Sequence, residues 1–238
     1  RPGRLRSISG TMPMSAEKSF SFYLQRRVES ILPSMKLCWG GGERRHTHVT
    51  SLQQLYSQAA GLNFFLKAKV QTWALESDGL FLTKRDSHKD KFLRWREACQ
   101  SPKLRRKIAY GKLKTVERSM EKLFRSYAGD VSRLLDVCRQ YIVFDSVRDL
   151  AQCLEAMQRD PECVIERVKN RYAPSYSSAP TAGYRDVNVN LRMNSASTRR
   201  LALDLHVCEV QLILRAFAEH KTEQGHKRYV RFRNQRAD

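Results

Sequence analysis

Apolar residues recur at helical spacing over residues 51–76. Leu52, Leu55, Leu62, Phe65, Leu66, Val70 and Trp73 fall on one stripe and predict a long helix or a pair of helices. Upstream, an amphipathic pattern from residue 17 to about residue 32, stopping before Pro33, predicts another helix. Residues 86–109 keep a helical texture but turn strongly basic. Short apolar runs then take over. Residues 137–144 read as a strand, and Ser146 follows as the cap of a helix running to about Gln158. Residues 163–171, 184–193 and 203–214 are expected to be further strands, with the serine- and proline-rich stretch 174–180 as a loop between them. A last helix, Gly225 and a basic end (Lys227, Arg228, Arg231, Arg233, Arg236) close the chain. A helical first half and a mixed second half predict an α+β domain with an N-terminal helical extension: a flexible basic arm over 1–16, the extension over 17–104, and the domain over 105–238.

Polar residues inside these patterns are the candidates for chemistry. In 184–193, Val187, Val189 and Leu191 alternate with polar residues, and Tyr184 follows Gly183 at the mouth of the run. Glu209 and Gln211 flank Val210, so both side chains leave one face of their strand. A carboxylate in an otherwise apolar strand costs stability unless a metal ion or a cationic cluster compensates it. Asp136 opens the 137–144 strand, where it is placed either to bind Mg²⁺ with substrate phosphates or to cap a turn. Lys112 and Lys114 share a strand-like face, and Arg118 and Lys122 share a helical one. These four cations either grip a triphosphate or simply face water. The glycines of 39–43 lack the Lys-Ser/Thr of a phosphate-binding loop, and His46 and His48 have no further ligands nearby in sequence.

Charge narrows the partners. Lys and Arg total 44 against 24 Asp and Glu, a formal net charge of +20, which points to nucleotide phosphates, nucleic acid or an anionic surface. The six cysteines are widely spaced with no Cys-x-x-Cys pair, which excludes a disulfide scaffold and a zinc ribbon and suits buried thiols in a reducing, intracellular compartment. No apolar run reaches membrane-spanning length. The basic, serine-containing opening, which starts on Arg1, suits an organellar transit remnant or an expression tail, and the chain is expected to be a processed form or a fragment.

Taken in order, these motifs over about 105–233 resemble the synthetase domain of the RelA/SpoT family, which moves pyrophosphate from ATP to the 3′-hydroxyl of a guanine nucleotide. Gly111-Lys112-Leu113-Lys114 and Lys122, with Arg118 between them, match the segment that grips ATP. Asp136 matches the metal-binding aspartate. Gly183-Tyr184 matches the segment whose tyrosine stacks on guanine, and Glu209-Val210-Gln211 the segment with the second carboxylate. The resemblance implies a mixed sheet of about five strands flanked by helices. It also implies Mg²⁺ on Asp136 and Glu209 as the catalytic pair, ATP as donor, and Tyr184, Gln211, Lys169 and Arg171 as substrate contacts. The departures are Lys112 for an arginine, Asn188 for a histidine, Ile213 for an arginine, and a further arginine replaced near Tyr141. Two readings follow. One is an active pyrophosphokinase acting on a guanine nucleotide or an RNA 3′ end, which the basic stretch 84–107 would suit. The other is a silent domain kept as an RNA-binding or structural subunit of a ribonucleoprotein, such as an organellar ribosome. A membrane-surface adaptor is a weaker alternative, because no clean basic amphipathic helix with exposed aromatics is present.

Overall fold

The computed structural model describes residues 49–84, 92–179 and 183–220. The helix expected over 17–32, the glycine loop, His46, His48 and the basic end lie outside the described residues.

Helix α1 (Leu52–Glu76) is one continuous helix whose buried Leu55, Ala59, Leu62, Leu66, Val70, Trp73 and Ala74 repeat at three- and four-residue steps. It ends where the Ser77 hydroxyl and amide both donate to the Trp73 carbonyl and Asp78 turns to positive φ. Gly79 follows because a β-carbon there would sit 2.6 Å from Cγ2 of Ile142. The chain then forms β1 (Leu80–Leu82), β2 (Phe92–Arg94), the short α2 (Trp95–Ala98) and α3 (Pro102–Lys107). Ser101 caps α3, with Pro102 at its first position. An extended segment leads to α4 (Val116–Tyr127), capped by Thr115. After a 3₁₀ turn (Val131–Arg133) come β3 (Arg139–Phe144), α5 (Val147–Arg159, capped by Ser146), β4 (Cys163–Asn170), β5 (Val187–Met193), α6 (Ala196–Arg200), β6 (Val207–Leu214) and α7 (Arg215–His220).

The strands form one six-stranded mixed sheet in the order β2-β1-β3-β6-β5-β4, parallel at β3–β6 and antiparallel at the other pairings. The side chains of α1 and α5 share one continuous core with Ile142, Phe144, Val189, Leu191, Val210 and Leu212 of the sheet. The opposite face carries a small apolar patch at one end, where Leu80, Val143 and Ile213 meet Ala218 of α7. The middle of that face, across β3, β6 and β5, carries polar residues.

Several expectations are corrected. The sheet has six strands rather than about five, because β1 and β2 add a short antiparallel pair at one edge. α1, β1 and Trp95 share the sheet and core of the strands after 105. The described part of 86–109 is not one helix but a strand and two short helices. Regular pairing starts later than expected in three strands, at Arg139, Val187 and Val207, so neither Asp136 nor Tyr184 lies in a strand.

Candidate functional site

The register collects the polar face. Glu209 of β6 stands opposite Arg139 of β3 on one side and Asn190 of β5 on the other. Gln211 stands opposite Tyr141 and Asn188. Lys169 and Arg167 of β4 extend the rows beyond Asn188 and Asn190. Residues directly opposite each other share a face, so two rows of polar side chains cross the sheet where the other face is apolar.

Asp136 sits three residues ahead of β3, beside this face. Its Oδ2 accepts from Lys114 Nζ at 2.7 Å and pairs with Lys122 Nζ at 3.1 Å, while its Oδ1 is buried with no hydrogen-bond partner. Burial pushes the Asp136 carboxyl up, but the ammoniums of Lys122 and Lys114 outweigh it and hold the group below its ordinary value. Lys114 is itself buried, and that burial draws its ammonium down despite Asp136. For the more open Lys122 the balance reverses: burial lowers it, yet Asp136 and Tyr127 leave it raised. The two lysines sit eight residues apart, one at the end of the extended segment and one on the second turn of α4.

That segment is fixed to β3 without joining the sheet. Gly111 N–H donates to Gln140 Oε1 at 2.9 Å, and Gln140 Nε2 donates back to the Gly111 carbonyl at 3.0 Å and to Asn63 Oδ1 of α1 at 2.9 Å. Lys114 N–H donates to the Val137 carbonyl at 3.0 Å. A β-carbon on Gly111 would lie 2.6 Å from the Arg139 carbonyl oxygen, so only glycine allows the approach. From α1, the Tyr56 hydroxyl donates to the Lys114 carbonyl at 2.8 Å and bonds Ser119 Oγ at 2.8 Å, tying the segment to the start of α4.

Glu209 shows the opposite electrostatics from Asp136. Burial raises its carboxyl above the ordinary value, a hydrogen bond from Asn188 opposes the rise, and the charges of Asp136 and Asp186 add to it. Gln211 Nε2 donates to Glu209 Oε1 at 3.1 Å. The two expected carboxylates are therefore in electrostatic reach of one another.

Tyr184 lies ahead of β5, after Gly183 at φ 82°, and its hydroxyl donates to Asp186 Oδ2 at 3.1 Å. Asp186 is fully buried and ion-paired to Arg171, and burial together with Asp186 raises the Tyr184 phenol well above its ordinary value. Arg185 braces the neighbouring loop by donating to the Arg171 carbonyl at 2.8 Å. Lys169 is exposed, with its ammonium 5.7 Å from the Tyr176 ring centroid. Of the residues expected to bind ATP, Lys114 and Lys122 converge on Asp136, whereas Lys112 and Arg118 are exposed.

Sequence reasoning passed over Arg139, Asn190, Gln140 and Tyr56, and used Asn188 only as a departure. The alternation of Arg139 with Tyr141, and of Asn188 with Asn190, is a usable signal for one polar face. Gln140 and Tyr56 act through partners 29 and 58 residues away, which no local pattern announces.

The residues present suit a divalent cation. The buried, unpartnered carboxylate oxygen of Asp136 is the kind of hard ligand that Mg²⁺ takes together with substrate phosphates. No group of three or more His, Cys, Asp or Glu side chains placed to hold a metal by themselves occurs among the described residues.

No family model matches the sequence, and neither does any curated protein. Solved structures do. The chain is similar to small alarmone synthetase 2 from Bacillus subtilis at 16% identity and TM-score 0.48, over 76% of this chain and 81% of that one. It is similar to the Type VI effector Tas1, solved in complex with its immunity protein, at 18% identity and TM-score 0.45, over 79% and 76%. It is also similar to a GTP pyrophosphokinase family protein from Streptococcus pneumoniae at 15% identity and TM-score 0.45, over 77% and 87%.

Proposed function

We propose that the chain is a divergent RelA/SpoT-like pyrophosphokinase that transfers the pyrophosphoryl group of ATP to the 3′-hydroxyl of a guanine nucleotide. The observation that carries this reading is the Asp136 carboxylate, gripped on one oxygen by Lys114 and Lys122, bare on the other, and electrostatically linked to a raised Glu209. Asp136 and Glu209 would hold Mg²⁺, which when bound supplies charge neutralisation between the ATP phosphates. Lys114 and Lys122 bind the phosphate oxygens and take up negative charge as it redistributes in the transition state. Glu209 accepts the proton of the attacking 3′-hydroxyl. The new bond joins that oxygen to the β-phosphorus, the bond between the bridging oxygen and the β-phosphorus breaks, and AMP departs with the bridging oxygen. Tyr184, with Gln211 and Lys169, flanks the acceptor, and base stacking on a tyrosine is worth about 1–3 kcal/mol, enough to position a base without selecting it.

The test is transfer of label from γ-labelled ATP to GDP or GTP with Mg²⁺, alongside Glu209→Gln. Label on the guanine nucleotide that disappears in the variant supports the reading. A folded wild-type protein that labels no guanine nucleotide overturns it. The second reading, a silent domain that binds RNA or a ribonucleoprotein, is favoured by one observation: Arg171 is spent on buried Asp186, so it is not offered to a phosphate.

A further inference from the structure

We propose that the exposed face of α3 is a docking surface for the sugar-phosphate backbone of single-stranded RNA. Lys103, Arg105, Arg106 and Lys107 are all exposed on this six-residue helix, and Leu104 alone turns inward to pack on the core. No acidic side chain among the described residues pairs with any of the four, although Asp and Glu partners occupy Lys69, Arg94, Arg125 and Arg192 elsewhere. Four cations within two helical turns, with no acidic partner among the described residues, repel one another and gain from a polyanion.

Neighbouring elements extend the patch. Lys84 N–H donates to the Lys107 carbonyl at 2.7 Å, which sets exposed Lys84 alongside the helix. On the α1 side, Lys67 Nζ lies 5.8 Å from the Tyr110 ring centroid, and Arg105 is close enough to act on the Tyr110 phenol.

A short stretch of chain joins the patch to Asp136. From Lys107 the chain runs extended past Ala109, whose carbonyl accepts from the Tyr141 hydroxyl at 2.6 Å, and past exposed Lys112, to Lys114 at Asp136. Seven residues of chain span at most about 25 Å. A polymer of phosphates, unlike a lone phosphate group, can contact several of these cations at once. An anionic membrane fits less well, because α3 presents no large exposed apolar side chain to insert between lipids.

The proposal does not depend on pyrophosphoryl transfer, and its test is read without it. Binding of a short, fluorescently labelled single-stranded RNA of mixed sequence is measured between about 50 and 200 mM salt, where counterion release dominates. The full chain is compared with the variant Lys103→Gln/Arg105→Gln/Arg106→Gln/Lys107→Gln and with the control Arg148→Gln/Arg159→Gln/Arg200→Gln, which neutralises exposed cations on α5 and α6. Circular dichroism confirms that each remains folded. With a slope near 0.7 per phosphate neutralised on single strands, the α3 variant should lose about 2 to 3 from the salt slope and on the order of a hundredfold in affinity at physiological salt. The control should lose little, and ATP binding should be equal in all three. An unchanged slope in the α3 variant, or an equal loss in the control, overturns the proposal. So does loss of binding to phosphatidylserine vesicles with RNA binding intact, which would make the surface a membrane contact.

Discussion

Asp136 and Glu209 are both carboxylates beside one polar face, yet the fold prepares them for opposite tasks. Asp136 is held ionised by two ammoniums; Glu209 is held toward its neutral form by burial and by neighbouring negative charge. Their amide variants should therefore separate. Asp136→Asn leaves the buried Lys114 ammonium and part of the Lys122 charge uncompensated, which should cost about 3 kcal/mol as well as activity. Glu209→Gln removes a group that burial already disfavours when charged, so it should abolish transfer with stability within about 0.5 kcal/mol of wild type. Urea unfolding beside the transfer assay reads both. If the two variants are equally destabilised, the opposed electrostatics are wrong. The same contrast fixes a pH profile. A base works only when deprotonated, so transfer should rise with pH along the limb where Glu209 loses its proton. Asn188→Leu removes the hydrogen bond that favours the charged form and should move that limb to higher pH, seen in kcat/KM against pH. A limb that stays put in Asn188→Leu would assign it to another group.

At the scale of elements, the segment between α3 and α4 is neither helix nor strand, yet it delivers the lysine that meets Asp136. Its order comes from the reciprocal Gln140 amide bonds and from the Gly111 contact with the Arg139 carbonyl. Gly111→Ala should push the segment off β3, displace Lys114 and weaken ATP binding at least tenfold, at a stability cost of about 1–3 kcal/mol. Equilibrium ATP binding checks it, and unchanged affinity would mean that Lys114 is placed by Tyr56 and Ser119 alone. The sequence made Gly111-Lys112-Leu113-Lys114 visible as a cation cluster, and made α1, α4, α5 and the long strands visible through their periodicity. It did not show which lysine turns inward, because that depends on Val137 and Gln140 more than twenty residues away. It also did not show β1 and β2, since three residues each are too few for an alternation to emerge. Tyr184 was read as part of a strand because Val187, Val189 and Leu191 alternate after it. The Asp186–Arg171 pair, with Arg171 N–H donating to the Asp186 carbonyl, holds the chain at the mouth of that pairing.

At the scale of the whole molecule, α1 shares one core with the sheet that carries the polar face. It buries seven side chains against the sheet, supplies Asn63 to Gln140, and supplies Tyr56 to Lys114. The composition shift near residue 104 tracks charge on the outside of the fold, while buried residues on both sides of it share one core. One further contact of α1 sets how the entire fold responds to acid. His206, just ahead of β6, is buried, with Nδ1 3.4 Å from Gln58 Oε1 of α1 and Nε2 without a hydrogen-bond partner. Burial alone pulls its imidazole down to about 4, from an ordinary 6.5. The folded value lies below the unfolded one, so the folded state refuses a proton that the unfolded chain accepts. Stability is then full above about pH 6.5 and falls as the pH drops toward 4. At about 1.4 kcal/mol for each unit of pH, acidification from pH 7 to 5 should remove about 2 kcal/mol through this residue. His206→Gln keeps a polar group beside Gln58 but has nothing to titrate. Its unfolding free energies at pH 7 and pH 5 should therefore differ by about 2 kcal/mol less than those of the wild type. An equal acid sensitivity in the variant would show that His206 gains a proton in the folded state as readily as in the unfolded chain, and that the junction of α1 with β6 is open to water.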